Sequence, residues 1–203
     1  MKLYKLTDEH GRTKNKTQWG PGVTHEATGS PDQHICSNEW IHAYEHPLLA
    51  VLLNPIHADF HPPRLWEAEG VVGKKDGQLK CGCRSLTTVR EIPVPEITLQ
   101  QRVRFAILCA KQVCSDEDWN QWADAWLSGA DRSREAAQAA EEAAAAWAQA
   151  ADWAAQAAKA AAWAEASRAE AWQAASARAA REAILSINLI SIAEQAIAEE
   201  PKP

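Results

Sequence analysis

The sequence predicts an α+β protein, with a small β-rich N-terminal domain followed by an all-helical, Ala-rich C-terminal region. Three observations carry this. All seven His lie before residue 62 and all five Cys before residue 115. From Glu135 to Ala183, 28 of 49 residues are Ala, far above ordinary usage. Charge divides the same way: residues 1–115 hold 14 Lys and Arg against 12 Asp and Glu, and residues 116–203 hold 7 against 15. Two materials are joined in one chain. The expected segments are a β-rich domain over 1–97, a Trp-rich helical pair over 98–130, and a long Ala-rich helix or helical hairpin over 131–203.

The β segments follow in order. Residues 3–6 alternate and read as a first strand. Gly20-Pro21-Gly22 and Gly29-Ser30-Pro31 punctuate a loop-rich stretch in which Thr17–Trp19 and Val23–His25 read as short strands. Ile35-Cys36 and Trp40–Tyr44 make another. Pro47 suits the first turn of a helix, which runs Leu48 to Leu53 and is ended by Asn54-Pro55. Arg64–Glu69 is a further strand, and Lys74–Gly77 a hairpin turn. Leu86–Ile92 is the clearest strand, β-branched and alternating, and Pro93 and Pro95 close the domain.

After Thr98 the period becomes helical, with Val103, Ile107, Leu108 and Lys111 at 3–4 spacing. Ser115 is placed to cap a second helix, on which Trp119, Trp122 and Trp126 form one stripe, with Gly129 as its C-terminal stop. Asp131 or Ser133 can cap the next. From there to Glu200 no Gly or Pro interrupts a sequence of the best helix former, with Trp147, Trp153, Trp163 and Trp172 as isolated large pegs. Ile184–Ile197 reads as an amphipathic closing helix. Ala buries little area, so residues 131–198 are expected to hold a homo-oligomer together.

Composition also excludes classes. No charge-free run of about 18 apolar residues exists, so no membrane span is expected. Met1–His10 lacks an apolar secretory core, which predicts a cytoplasmic protein with free thiols. Cys81-x-Cys83 is too short for a zinc knuckle and no second pair follows, so no metal and no cofactor are expected. Nucleic acid is not the expected partner, because that needs a clustered basic face. The small basic spots Lys14/Lys16, Lys74/Lys75/Lys80/Arg84 and Arg102/Arg104 read mostly as solvated surface, with one of them left to face an anionic ligand.

Three patterns carry candidate chemistry. His42-x-Tyr44-x-His46 puts three rings on one face of a strand, and Glu67-x-Glu69 does the same for two carboxylates. Such groups can hold a ribose hydroxyl and stack a base, and paired carboxylates can share a proton or stabilise a cationic sugar centre. His57 and His61 stand four apart, in a segment read as a loop because of Pro55, Pro62 and Pro63. Trp19, Trp40 and Trp66 offer flat surfaces for stacking or for core.

Residues 1–92 resemble an uncharacterised domain of bacteriophage and prophage proteins. The likeness rests on Tyr4-Lys5-Leu6, Gly11-x-Thr13, Thr17-Gln18-Trp19, Gly22-x-Thr24, Ile35-Cys36, Trp40–Tyr44 before Pro47-x-x-Ala50, Leu65–Gly70 and Val89–Ile92. It implies a viral protein working in an infected bacterial cell, with an Ala-rich tail of the kind often found after this domain. A more distant likeness is to the ADP-ribosyltransferase-like fold, on the order His42-x-Tyr44 into Pro47, then Glu67-x-Glu69. It implies His42, Tyr44, Glu67 and Glu69 as the groups an enzyme would use. The leading expectation is instead a binding protein that sequesters a nucleotide-like immune signal without turnover. Its ligand residues would be Trp19, Tyr44 and Trp66 for stacking, with His42, Arg64 and Arg84 for the anion or ribose. The competing readings are a structural or partner-binding phage protein and the ADP-ribosyltransferase-like enzyme.

Overall fold

Two long antiparallel strands form the spine of the N-terminal half of a computed structural model that describes residues 1–112, 117–133 and 187–198. They are β4 (Arg64–Asp76) and β5 (Lys80–Ile92), joined by a turn in which Gly77 takes φ +52°, a left-handed conformation cheap only for glycine. The shorter strands are β1 (Lys2–Thr7), β2 (Val23–Glu26) and β3 (Ile41–Ala43). β1 lies along the free edge of β4, and the other edge of β5 carries both β3 and β2. Just past β3, Tyr44 exchanges two main-chain hydrogen bonds with Tyr4 of β1, at 2.8 and 2.9 Å. The hydrogen-bonded path β1–β4–β5–β3–β1 is therefore a closed ring, a small barrel.

Leu3, Ala43, Ala68, Cys81, Cys83 and Leu86 fill this barrel together with Trp19. Alternation explains the choice, because every second residue of a strand faces one side. The alternation shifts where β5 bulges: Glu67 pairs Arg90 and Ala68 pairs Thr88, and later Val71 pairs Ser85 and Val72 pairs Cys83. The second bulge leaves Arg84 as an extra residue, so that Leu86 and Cys83 both turn inward.

Two short helices follow β3. α1 (Pro47–Leu52) opens with Pro in its first turn and is capped by the His46 ring, whose Nδ1 accepts from Leu48 N at 3.3 Å. α1 stops before Asn54-Pro55 as expected, and the same pair also starts α2 (Asn54–His57), since proline is tolerated in a helix's first turn. His57 thus ends a helix rather than lying in a loop. Ile35-Cys36 is not a strand but part of a turn, held by Ser37 N on the His34 carbonyl at 2.9 Å. Thr17–Trp19 contributes only a single bridge, Arg12 to Gln18, around a 3-10 turn at Lys14–Lys16. The strands expected at Arg64–Glu69 and Leu86–Ile92 are present, each extended by its partner across the hairpin.

The chain divides into two units, and Met1–Glu96 with Leu189–Ala193 is the first. Within it Ile190 N donates to Gln78 Oε1 at 3.0 Å. The second unit holds the described residues from Ile97 to Asn188 and from Glu194 onward. Its first helix, α3 (Leu99–Lys111), begins with a capping box in which Thr98 Oγ1 accepts from Gln101 N and Gln101 Oε1 accepts from Thr98 N. α4 (Glu117–Ser128) packs Ala123 and Trp126 on Ile107 of α3, and Trp122 lies against the same cluster. Gly129 ends α4 at φ +83°, donating its N–H to the Trp126 carbonyl. Cys109 is buried, as its place in an apolar run predicts. The last element is α5 (Leu189–Ala198). The expected Ala-rich helix or hairpin, the four Trp pegs, Cys114 and the Ser115 cap lie outside the described residues, as do the Trp119 side chain and most of the expected oligomer seam.

The molecule is thus α+β, a β-sheet in the N-terminal part followed by helices. Among the described residues, no helix is long and apolar enough to cross a membrane.

Candidate ligand-binding site

The expected stacking rings have other work. Trp19 is 3% exposed, its Nε1 donating to Thr13 Oγ1 at 3.1 Å and its ring packed edge-on to His25. Trp66 is 1% exposed and donates to Thr7 Oγ1 at 3.0 Å. Both are core, and neither presents a face to a ligand. Arg64 lies over the Trp66 ring and is held by both oxygens of Glu91, which occupies its fork. The Arg84 guanidinium is exposed, and no carboxylate pairs with it among the described residues.

Of the three rings expected together, two remain together. His42 lies in β3 and Tyr44 just beyond it. The strand ends at Ala43, so His46 turns away to cap α1. Its place is taken by His57 from the end of α2, whose Nδ1 is hydrogen-bonded to Tyr44 OH at 3.0 Å with the rings stacked at 5.9 Å. His42 Nε2 donates to the Ile35 carbonyl. Both imidazoles are kept neutral. Burial lowers His57 to about 3, helped by Lys80, His42 and Lys14, and lowers His42 to about 4, helped by Lys80, Lys5 and Lys14. Burial also pushes the Tyr44 hydroxyl upward, so it stays protonated.

Two lysines, Lys14 and Lys80, stand beside these rings, and a third, Lys5, is buried inside the barrel behind them. Lys5 Nζ donates to the His42 carbonyl at 2.6 Å and stands 5.0 Å from the Trp19 ring centroid. Burial lowers its amine to about 8. Lys14 Nζ donates to the His57 carbonyl at 3.3 Å, and Lys80 Nζ to Cys36 Sγ at 3.0 Å. Among the described residues neither Lys14 nor Lys80 has a carboxylate partner, and Lys5 is sealed in the interior. Positive charge is uncompensated here. That is the condition an anion-binding site needs, because a resident carboxylate would compete with the ligand.

The carboxylate pair sits elsewhere on the same wall. One row of the sheet runs Tyr44, Tyr4, Glu67, Arg90. Tyr4 therefore separates Tyr44 from Glu67 by two strand spacings, about 10 Å. Glu67 is ion-paired with Lys2 and with Arg90, and those hydrogen bonds hold its carboxyl below the usual range. Glu69 is exposed, opposite Lys2. The pair is a solvated surface pair on one side of an ion network, apart from the neutral rings.

The thiols are free at Cys36, Cys81, Cys83 and Cys109. Burial pushes Cys81 up to about 12 and Cys83 up to about 11, so both are inert barrel filling. No three His, Cys, Asp or Glu gather as a metal site among the described residues.

The sequence pointed to His42 and Tyr44 but missed Lys5, and it listed Lys14 and Lys80 only among spots of basic surface. The convergence of the outer residues depends on α2 and on barrel closure, which join residues 14, 42, 57 and 80. No local pattern announces that. No family model, curated protein or solved structure matches the chain.

Proposed function

We propose that the protein binds a small, anionic, nucleotide-like ligand at the cluster of His42, Tyr44 and His57 with Lys14 and Lys80, and holds it without turnover. One observation carries the reading: the ammonium groups of Lys14 and Lys80 stand near two neutral imidazoles and a phenol, and among the described residues neither lysine is paired with a carboxylate. The lysines supply charge for phosphate, and the half-buried imidazoles supply ring surface and neutral hydrogen-bonding groups for a base or ribose. The His42 and His57 imidazoles, lowered to about 4 and 3, are weak bases, and the paired carboxylate Glu67 is bound to Lys2 and Arg90. This arrangement favours holding over cleaving.

The likeness of residues 1–92 to a phage and prophage domain supports a biological use for such holding. A phage protein of this kind would capture a bacterial immune signal, such as a cyclic nucleotide or a cyclic ADP-ribose isomer, in the host cytoplasm. The protein is to be incubated with extracts rich in such signals, re-isolated and denatured, and the released small molecules identified by mass spectrometry. An intact nucleotide, released equally by wild type and Glu69→Gln, is the expected result. Hydrolysed or transferred product from wild type, absent with Glu69→Gln, would replace this reading with the ADP-ribosyltransferase-like one.

A further inference from the structure

We infer that the ligand carries two anionic groups held apart, one met by Lys14 and Lys80 and the other by Arg84. This rests on the binding reading above and adds to it the spacing of the ligand's charges. The argument begins with register. His42 of β3 is opposite Gly82 of β5, so Tyr44 lies toward Lys80 and Trp40 toward Arg84. Cys81 and Cys83 point into the barrel, which turns Gly82 to the outer side with His42. The Trp40 ring marks the same side: a Cβ added at Gly82 would stand 3.0 Å from it, and one at Gly73 2.7 Å. Missing side chains at two glycines thus make room for one indole beside His42.

Arg84 is set on this surface by its own pair of glycines. A Cβ at Gly29 would stand 2.4 Å from Arg84 Cγ, and one at Gly73 3.2 Å from its Nε. The stem is therefore laid across Gly29 and Gly73, and its direction is fixed although the residue is exposed. Arg84 is also the extra residue of a β5 bulge, a device that re-aims a side chain. Its charge has no carboxylate partner among the described residues. Beside it the buried Trp40 Nε1–H has no hydrogen-bond partner among the described residues, nor has the buried Oε2 of the adjacent Glu39. Lys80 and Arg84 are four residue steps apart along the strand, about 13 Å between backbones before the bulge shortens it. Adjacent phosphates of one diphosphate do not span such a gap, but phosphates on either side of a nucleoside come closer to doing so.

Calorimetric titration with AMP, ADP and the 5′-phosphorylated dinucleotide pApA tests this. ADP and pApA carry similar charge, but only pApA spaces its phosphates by a nucleoside. Wild type is expected to bind pApA at least tenfold more tightly than ADP. Arg84→Gln keeps most of the stem and removes the charge. It should bring pApA to the ADP level while leaving AMP within twofold and the melting temperature unchanged. Equal affinity for ADP and pApA, or an Arg84→Gln loss as large for AMP as for pApA, would overturn the inference and leave the binding reading standing. Binding of none of the three by wild type would overturn the binding reading and this inference with it.

Discussion

Lys5 shows how one residue's surroundings decide its chemistry. Its position in the first strand reads as an ordinary alternating polar residue, yet its amine is buried against Trp19 and meets only a carbonyl. The folded chain therefore releases this proton near pH 8, whereas an exposed lysine keeps it to about pH 10.5. Between those values the unfolded chain binds more protons than the folded one, so this residue's contribution to stability rises with pH. Lys5→Met removes the burial of charge. It should raise the melting temperature at pH 7, and the difference from wild type should shrink by pH 10. A difference that stays constant across that range would show that Lys5 is not titrating in the fold. Trp19 and Trp66 teach the complementary lesson: a tryptophan in a β segment reads alike as core or as stacking platform, and only the neighbours that bury it decide.

At the scale of elements, sequence reading worked where the signal is local. The 3–4 spacing of Val103, Ile107, Leu108 and Lys111 announced α3, Pro47 announced α1, and the β-branched run Leu86–Ile92 announced the end of β5. It failed where partners impose structure. Lys80–Ser85 contains Cys-Gly-Cys and little β propensity, and it is a strand because β3 and β4 pair with it. Asn54-Pro55 did stop α1, but α2 beyond it was missed, because the same residues that end one helix can begin another. Two substitutions test the element account by chemical denaturation. Thr98→Ala should cost about 1 kcal/mol through loss of the cap. Gly70→Ala should cost about 1–3 kcal/mol, because its Cβ would stand 2.6 Å from the Ser85 carbonyl oxygen across the β4–β5 ladder. Little change at Gly70 would mean that the two strands can part there without penalty.

For the whole molecule, the feature least legible in the sequence is closure of the barrel by Tyr4 and Tyr44, forty positions apart, because no local pattern records a pairing between distant strands. That closure and α2 bring His42 and His57 together as half-buried neutral rings. Their folded values of about 4 and 3 lie below the ordinary 6.5, so the unfolded chain takes up more protons as pH falls from about 6.5 toward 4, and stability falls with it. Thermal melts at pH 7, 5.5 and 4.5 should show this loss, and His57→Gln should make it shallower. An unchanged slope in His57→Gln would remove His57 from the account. Residues 131–198, of which only the two ends are described, carry the expectation of self-association. Light scattering of the full chain at micromolar concentration should give a multiple of 22.3 kDa, and a monomer mass would contradict it.

The central claim is that uncompensated lysine charge around neutral rings takes up an anionic nucleotide. It is tested most directly by titrating wild type and the Lys14→Ala/Lys80→Ala double variant with AMP at low ionic strength. Both lysines contact the rest of the cluster only through exposed or half-buried ammonium groups, so the double variant should fold as wild type does. The account predicts one AMP bound per chain by wild type and at least a tenfold loss of affinity in the double variant. No heat of binding in wild type at high micromolar AMP, or equal affinity in the two proteins, would contradict it.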